Sequence, residues 1–286
     1  MNMLKKWAMP LMGLAMLTLI SGCSASMSDA KKAFSQGDTD KALSIAIDNL
    51  SAGDEDTRIE AANMVGEIGG EKAGVALIPL FTDEEPRVVT ASLKAVAKTG
   101  SAGAGKGLAR LTKNAKGDVF DLTARAFRGI GPGAIDHLVA AYDDAGNKKQ
   151  FRAMLIQVGP TVATSLANSL GGKSAFENEA KFSILVELKS PRVGALLVER
   201  IDDPETGEMV MEGLVKLGGL AVDAAVKGLN ARLGDDTKAK GKELLCRALG
   251  DIKSKRAIPA LEKAAKDSDD LVRAAADRAL TKVRGF

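Results

Sequence analysis

Residues 257–284 read AIPALEKAAKDSDDLVRAAADRALTKVR. The stretch opens with the apolar segment Ala257-Ile258-Pro259-Ala260-Leu261. A polar turn holding Asp267 follows, and then a second segment in which Val272, Ala275, Ala276, Ala279 and Leu280 recur at helical spacing. Apolar positions three and four apart fall on one face of a helix, so the stretch predicts two helices joined by a charged turn. Neither helix can bury its apolar face alone, so the unit needs neighbours.

Those neighbours are present throughout the chain. Aligned on Gly69, Gly100, Gly131, Gly159, Lys189, Gly218, Lys253 and Arg284, the sequence repeats at steps of 31, 31, 28, 30, 29, 35 and 31 residues. Four positions before each anchor stand Val65, Val96, Phe127, Leu155, Leu185, Leu214, Leu249 and Leu280, all apolar. One position before, only Thr99 breaks an otherwise apolar set. Five before, the residues are mostly small (Met64, Ala95, Ala126, Met154, Ile184, Gly213, Ala248, Ala279), as close packing between helices requires. The five glycine anchors suit the left-handed residue that closes a helix. Gly131-Pro132 and Gly159-Pro160 then place proline at the first position of the next helix. Asp54, Asp83, Asp118, Asp144, Asp203, Asp236 and Asp267 fall near the expected start of each second helix, where a carboxylate can accept from free backbone donors.

The pattern resembles HEAT repeats of the short bacterial type over roughly residues 39–284, best in 257–284 and well in Leu77-Ile78-Pro79-Leu80, Asp83 and Arg87-Val88-Val89. The resemblance implies an all-α fold, a HEAT-like α-solenoid forming a right-handed superhelix of about eight two-helix repeats. It also implies that the loop aspartate and an arginine of the second helix bridge neighbouring repeats. The middle repeats depart: Gly171-Gly172 replaces the charged turn, and the second helix expected from Pro204 to Leu217 lacks the arginine. Ser28 to Gln36, closed by Gly37, reads as an additional N-terminal capping helix. Eight repeats stacked at about 8–10 Å give an array roughly 65–80 Å long.

The N-terminus carries an address. Lys5 and Lys6 precede a mostly apolar stretch from Trp7 to Ile20, interrupted by Pro10 and too short to span a bilayer. Residues 20–23 read Ile-Ser-Gly-Cys, which resembles the lipobox of bacterial lipoproteins. The resemblance implies a signal peptide at 1–22, lipid on Cys23, a tether at 23–27 and a repeat domain at 28–286. Ser24 is not the aspartate that in that family signals inner-membrane retention, so the expected location is the bacterial cell envelope, at the outer membrane facing the periplasm. The tether reaches about 17 Å at most.

Composition narrows the function. Loss of Lys5 and Lys6 with the signal leaves a net charge of +1, which gives no reason to expect nucleic acid as a partner. Cys246, the other cysteine, has no disulfide partner and sits in an apolar helical context. The only tryptophan is Trp7, so the mature chain lacks an aromatic platform for sugars or bases. His137 is the single histidine, which leaves no pair for a metal; it reads as a surface residue near a helix start. The iron hydroxylases built on HEAT repeats use several His-Glu pairs, and none occurs in this sequence. No catalytic residue, metal or cofactor is expected.

Charge is segregated in blocks. Residues 38–85 hold 12 acidic and 3 basic side chains, and residues 86–117 hold 7 basic and none acidic. Lys94 and Lys98 share one face of a second helix; Lys106, Arg110 and Lys113 share a face of the following first helix. Glu205, Glu208 and Glu212 form an acidic stripe further on. These eight residues are the candidate partner-binding positions, for an envelope protein or, at the basic block, for anionic lipid. The expected function is a membrane-anchored, non-enzymatic scaffold that mediates protein–protein contacts. The alternative is a HEAT-like lyase, as in the bilin lyases that share the repeat type, or a chaperone handling a small hydrophobic ligand in the concave groove. A third reading is a spacer at the membrane.

Overall fold

The computed structural model describes residues 25–146, 148–171 and 175–285. The expected signal peptide, Cys23, Ser24 and Gly172 lie outside the described residues. Among those described, the chain is helical with no strand. In order the helices are α1 (Met27–Ser35), α2 (Thr39–Asp48), α3 (Glu55–Ile68), α4 (Glu71–Ala76), α5 (Pro86–Thr99) and α6 (Ala104–Thr112). They continue as α7 (Gly117–Ile130), α8 (Pro132–Asp144), α9 (Lys148–Val158), α10 (Ala163–Asn168), α11 (Ala175–Glu187) and α12 (Pro191–Val198). The last are α13 (Gly207–Leu217), α14 (Val222–Arg232), α15 (Ala239–Ile252), α16 (Ile258–Ala264) and α17 (Asp270–Arg284). From α2 on, even-numbered helices pack on even ones and odd on odd, giving two rows with one continuous apolar core between them.

The period sets the helix boundaries. Seven of the eight anchors close or follow an odd-numbered helix at positive φ: Gly69, Gly100, Gly131, Gly159 and Gly218, and also Lys189 (φ 45°) and Lys253 (φ 57°). The two lysines occupy a backbone region that costs an L-residue about 1–2 kcal/mol. Arg284 differs, being the last residue of α17. Pro132 opens α8 as expected, whereas Pro160 opens a short 3-10 turn ahead of α10.

Small residues let the rows close. A Cβ on Gly66 would lie 2.7 Å from the Cα of Ala95, one on Gly105 would lie 2.5 Å from that of Ala134, and one on Gly250 would lie 2.8 Å from that of Ala279. Each contact joins one repeat to the next, and backbone stands where a side chain would go. Gly213 serves a different purpose, making room for the ring of Phe182.

The first helix begins one residue earlier than expected. Ser26 caps α1 in a reciprocal box: its backbone N–H donates to Asp29 Oδ2 (2.9 Å) and its Oγ accepts from the Asp29 N–H (3.4 Å). Asn49 Nδ2 then donates to the carbonyl of Ala25 (2.9 Å), which ties the residue two after Cys23 to the first repeat. α13 begins at Gly207 rather than Pro204, because Asp203 accepts from the N–H groups of Glu205 and Thr206 and folds that segment into a turn.

The anchor geometry yields a stability prediction. Lys189→Gly relieves left-handed strain at an exposed position, and that gain exceeds the added entropy of the unfolded chain by about 0.5–1 kcal/mol. The urea midpoint should rise for Lys189→Gly and fall for Gly100→Ala.

Candidate interaction surfaces

Charged side chains do two jobs in this array, and the first is to cross-link repeats. Arg58 of α3 donates from Nε and Nη2 to both oxygens of Asp83 (3.0 and 2.9 Å), in the next repeat's turn. Its Nη1 donates to the carbonyls of Ala52 and Gly53 in its own turn. Lys242 of α15 stands at the same repeat position and donates to both oxygens of Asp267 at 2.8 and 2.9 Å, with the ammonium fully buried. Burial opposes ionisation of Asp267, but hydrogen bonds from Lys242 and the Asp269 N–H, with the lysine's charge, outweigh it and hold the carboxyl below the usual range. Asp83 is lowered in the same way by Arg58 and the Glu85 N–H against its own burial, and the Asp83 hydrogen bond raises Arg58.

The turn aspartates therefore divide. Asp54 caps α3, accepting from the Thr57 N–H (2.8 Å). Asp83 and Asp267 also accept from backbone N–H groups, of Glu85 (3.0 Å) and Asp269 (3.1 Å), and bridge repeats as well; Asp118 lies inside the first turn of α7, and Asp144 ends α8 rather than starting a helix. In the middle of the chain the bridge runs backward. Buried Lys181 of α11 donates to the Ser169 carbonyl (2.8 Å) and to Asp143 of the preceding repeat (3.1 Å). Lys181 makes this link from a helix that itself contains no arginine, and its burial was not read from the sequence.

The eight candidate positions do not form one surface. Lys94 and Lys98 are exposed on α5, in the odd row; Lys94 borders a shallow groove between α3 and α5. Arg87, in the same groove, pairs with Glu55 and Asp56 of α3. Lys106, Arg110 and Lys113 are exposed on and just after α6, in the even row, so the basic block is split between the two rows. They border a cleft of about 700 Å³ between α6 and α8, with Ala109, Ala141 and Phe151 on its floor. His137 of α8 is exposed, and it lines the same cleft. That adjacency joins residues of different repeats and was missed in the sequence.

The acidic stripe is corrected. Glu205 lies in the turn before α13, so it does not share a helical face with the other two. Glu208 accepts from Lys240 (3.0 Å) and Arg247 (3.0 Å) of α15 and is another repeat-to-repeat bridge. Burial raises its carboxyl, but the two cations lower it further and leave it below the ordinary range. Of the three glutamates, Glu212 is the one that lies exposed on α13 without an ion pair among the described residues.

Cys246 is fully buried in α15, and burial, followed by the charges of Asp267 and Glu243, pushes its thiol up to about 12. Among the described residues no group of three or more His, Cys, Asp or Glu could hold a metal ion, and no helix is long and apolar enough to cross a membrane.

Two rows of helices, packed only on their neighbours and stapled through buried turn aspartates, define an α-solenoid repeat protein. A family model for HEAT repeats matches residues 43–128 and 226–285, just over half of the chain, and the chain belongs to the HEAT-repeat family. Arg58–Asp83 and Lys242–Asp267 lie within the two matched segments, and Lys181 lies between them. No curated protein matches the chain. Among solved structures, an engineered protein is similar at 18% identity, with 91% of this chain and 82% of that one covered and a TM-score of 0.34. Human deoxyhypusine hydroxylase is similar at 16% identity, covering 88% and 99%, with a TM-score of 0.37. A designed armadillo repeat protein is similar at 20% identity, covering 83% and 98%, with a TM-score of 0.31.

Two outcomes are expected from this geometry. Asp267→Ala leaves a buried ammonium unpaired and should cost about 3 kcal/mol, of which Lys242→Met in the same chain recovers a large part, read as urea midpoints. Because the folded Asp267 and Asp83 carboxyls titrate below their unfolded values, their stabilisation is complete above the ordinary carboxyl range. It should be lost as pH falls below about 4, and less of it in Asp267→Asn. Separately, the Cys246 thiol should resist Ellman's reagent at pH 8 in the folded chain and react at once in denaturant.

Proposed function

We propose that this chain is a lipid-anchored, non-enzymatic scaffold of the bacterial cell envelope, held through Cys23 in the outer membrane's periplasmic leaflet and presenting its helical rows to an envelope protein. The reading rests above all on one observation: the described chain spends its buried charges on holding repeats in register, while the basic residues of α5 and α6 are left exposed. A rigid array with unspent surface charge is suited to binding, and electrostatic complementarity selects partners and speeds their encounter.

The short span between Ala25 and Cys23 supports the anchored form of this reading. With Ala25 tied to Asn49, two residues separate the first repeat from the proposed lipid, a reach of about 7 Å. The first repeat then lies against the headgroups. Ser24 after the cysteine favours the outer over the inner membrane.

The test is in-cell crosslinking of the acylated protein, then affinity capture and mass spectrometry. A reproducible envelope protein, captured with native chain and lost with Cys23→Ser, is the expected result. A purified chain that lacks diacylglycerol mass on Cys23 removes the anchor, and one that carries only lipid or pigment, with no protein partner, removes the scaffold.

A further inference from the structure

We propose that the cleft between α6 and α8 takes an acidic peptide segment of a partner protein, its carboxylates on Lys106, Arg110 and Lys113 and an apolar side chain on the cleft floor. The inference deepens the scaffold reading and is independent of the lipid anchor.

Charge carries the argument. Several other cations that face a neighbouring repeat meet a carboxylate there: Arg152 with Glu187 (2.5 Å), Arg256 with Asp223 (2.6 Å), Lys282 with Asp251 (2.6 Å), and Arg87 with Glu55, while Arg128 and Arg200 meet backbone carbonyls. Lys106, Arg110 and Lys113 have no such partner among the described residues, and they stand four and three apart along one face. Like charges at those spacings repel, so the row lowers the stability of its own helix unless an anion from outside joins it. The opposite wall supplies one carboxylate, Asp144, two turns along α8 from the exposed imidazole of His137. A positive rim over a recess focuses the potential into the recess.

Shape separates a peptide from a bilayer. The floor is apolar and recessed below the charged rim, with Ala109, Ala141 and the edge of buried Phe151. A planar layer of headgroups meets the rim and leaves that floor empty. A side chain projecting from a peptide fills it, while flanking carboxylates reach the cations. The groove between α3 and α5 offers one cation without an ion pair among the described residues, Lys94, in place of a row of three, because Arg87 is already bound there.

The experiment is fluorescence anisotropy with the purified full chain and a fluorescein-labelled glutamate peptide interrupted by single leucines. Lys106→Glu, Arg110→Glu and Lys113→Glu together should weaken binding about tenfold or more, and added salt should weaken it in the native chain. Ala140→Trp, at an exposed position lining the same cleft, should also weaken binding without any change of charge. Lys94→Glu with Lys98→Glu, in the other row, should leave it unchanged. Thermal melts of the triple variant at or above the native midpoint show that the fold is kept. Peptide affinity indifferent to the triple variant or to Ala140→Trp overturns the site, as does charge-dependent binding seen only with phosphatidylglycerol vesicles. If the triple variant captures the envelope partner as well as native chain does, the scaffold stands and this site falls.

Discussion

Backbone must meet backbone for this array to exist. Gly66 against Ala95, Gly105 against Ala134 and Gly250 against Ala279 leave no space for one more carbon. The ion pairs depend on the same closeness: Arg58 reaches Asp83 with two parallel hydrogen bonds because α3 and α5 lie in direct contact. A methyl group at Gly66 separates those helices and so stretches the bidentate pair a few turns away. Packing and electrostatics are one constraint here, since charges desolvated this fully are tolerated only at good geometry.

The rows also explain why charge looks more segregated in the sequence than on the molecule. The acidic block from residue 38 to 85 faces the start of the basic block across α3 and α5, and Arg87 is absorbed by Glu55 and Asp56. What remains unneutralised is divided between two rows, with Lys94 and Lys98 on one and the α6 triad on the other. Linear charge counts cannot distinguish a cation meant for the neighbouring repeat from one turned to solvent.

Fold was legible because periodicity is a property of the sequence itself. Alignment by period even located Lys189 and Lys253 at the left-handed positions, although residue type argued for glycine there. The capping helix was placed within one residue. Contacts between repeats were harder. Asp83 and Asp54 look alike in sequence and both accept from a backbone N–H, yet only Asp83 meets an arginine of the preceding repeat. Glu208 looked like part of a free stripe because Lys240 and Arg247 are over thirty residues away. His137 joined the α6 cations only once α6 and α8 were side by side.

The backward bridge from Lys181 has a mechanical meaning. In a stack where each repeat touches only the next, a load applied along the array passes through every interface in turn, as through springs in series. Extension then collects at the softest spring rather than spreading evenly. Near the ends, α3 with α5 and α15 with α17 share long, closely packed seams, whereas α9 and α11 meet over a much thinner one, braced by the Arg152–Glu187 pair and by Lys181 reaching back to Asp143 of α8. Tension between the two ends would therefore open the middle first, making the centre a compliant joint between two stiff arms.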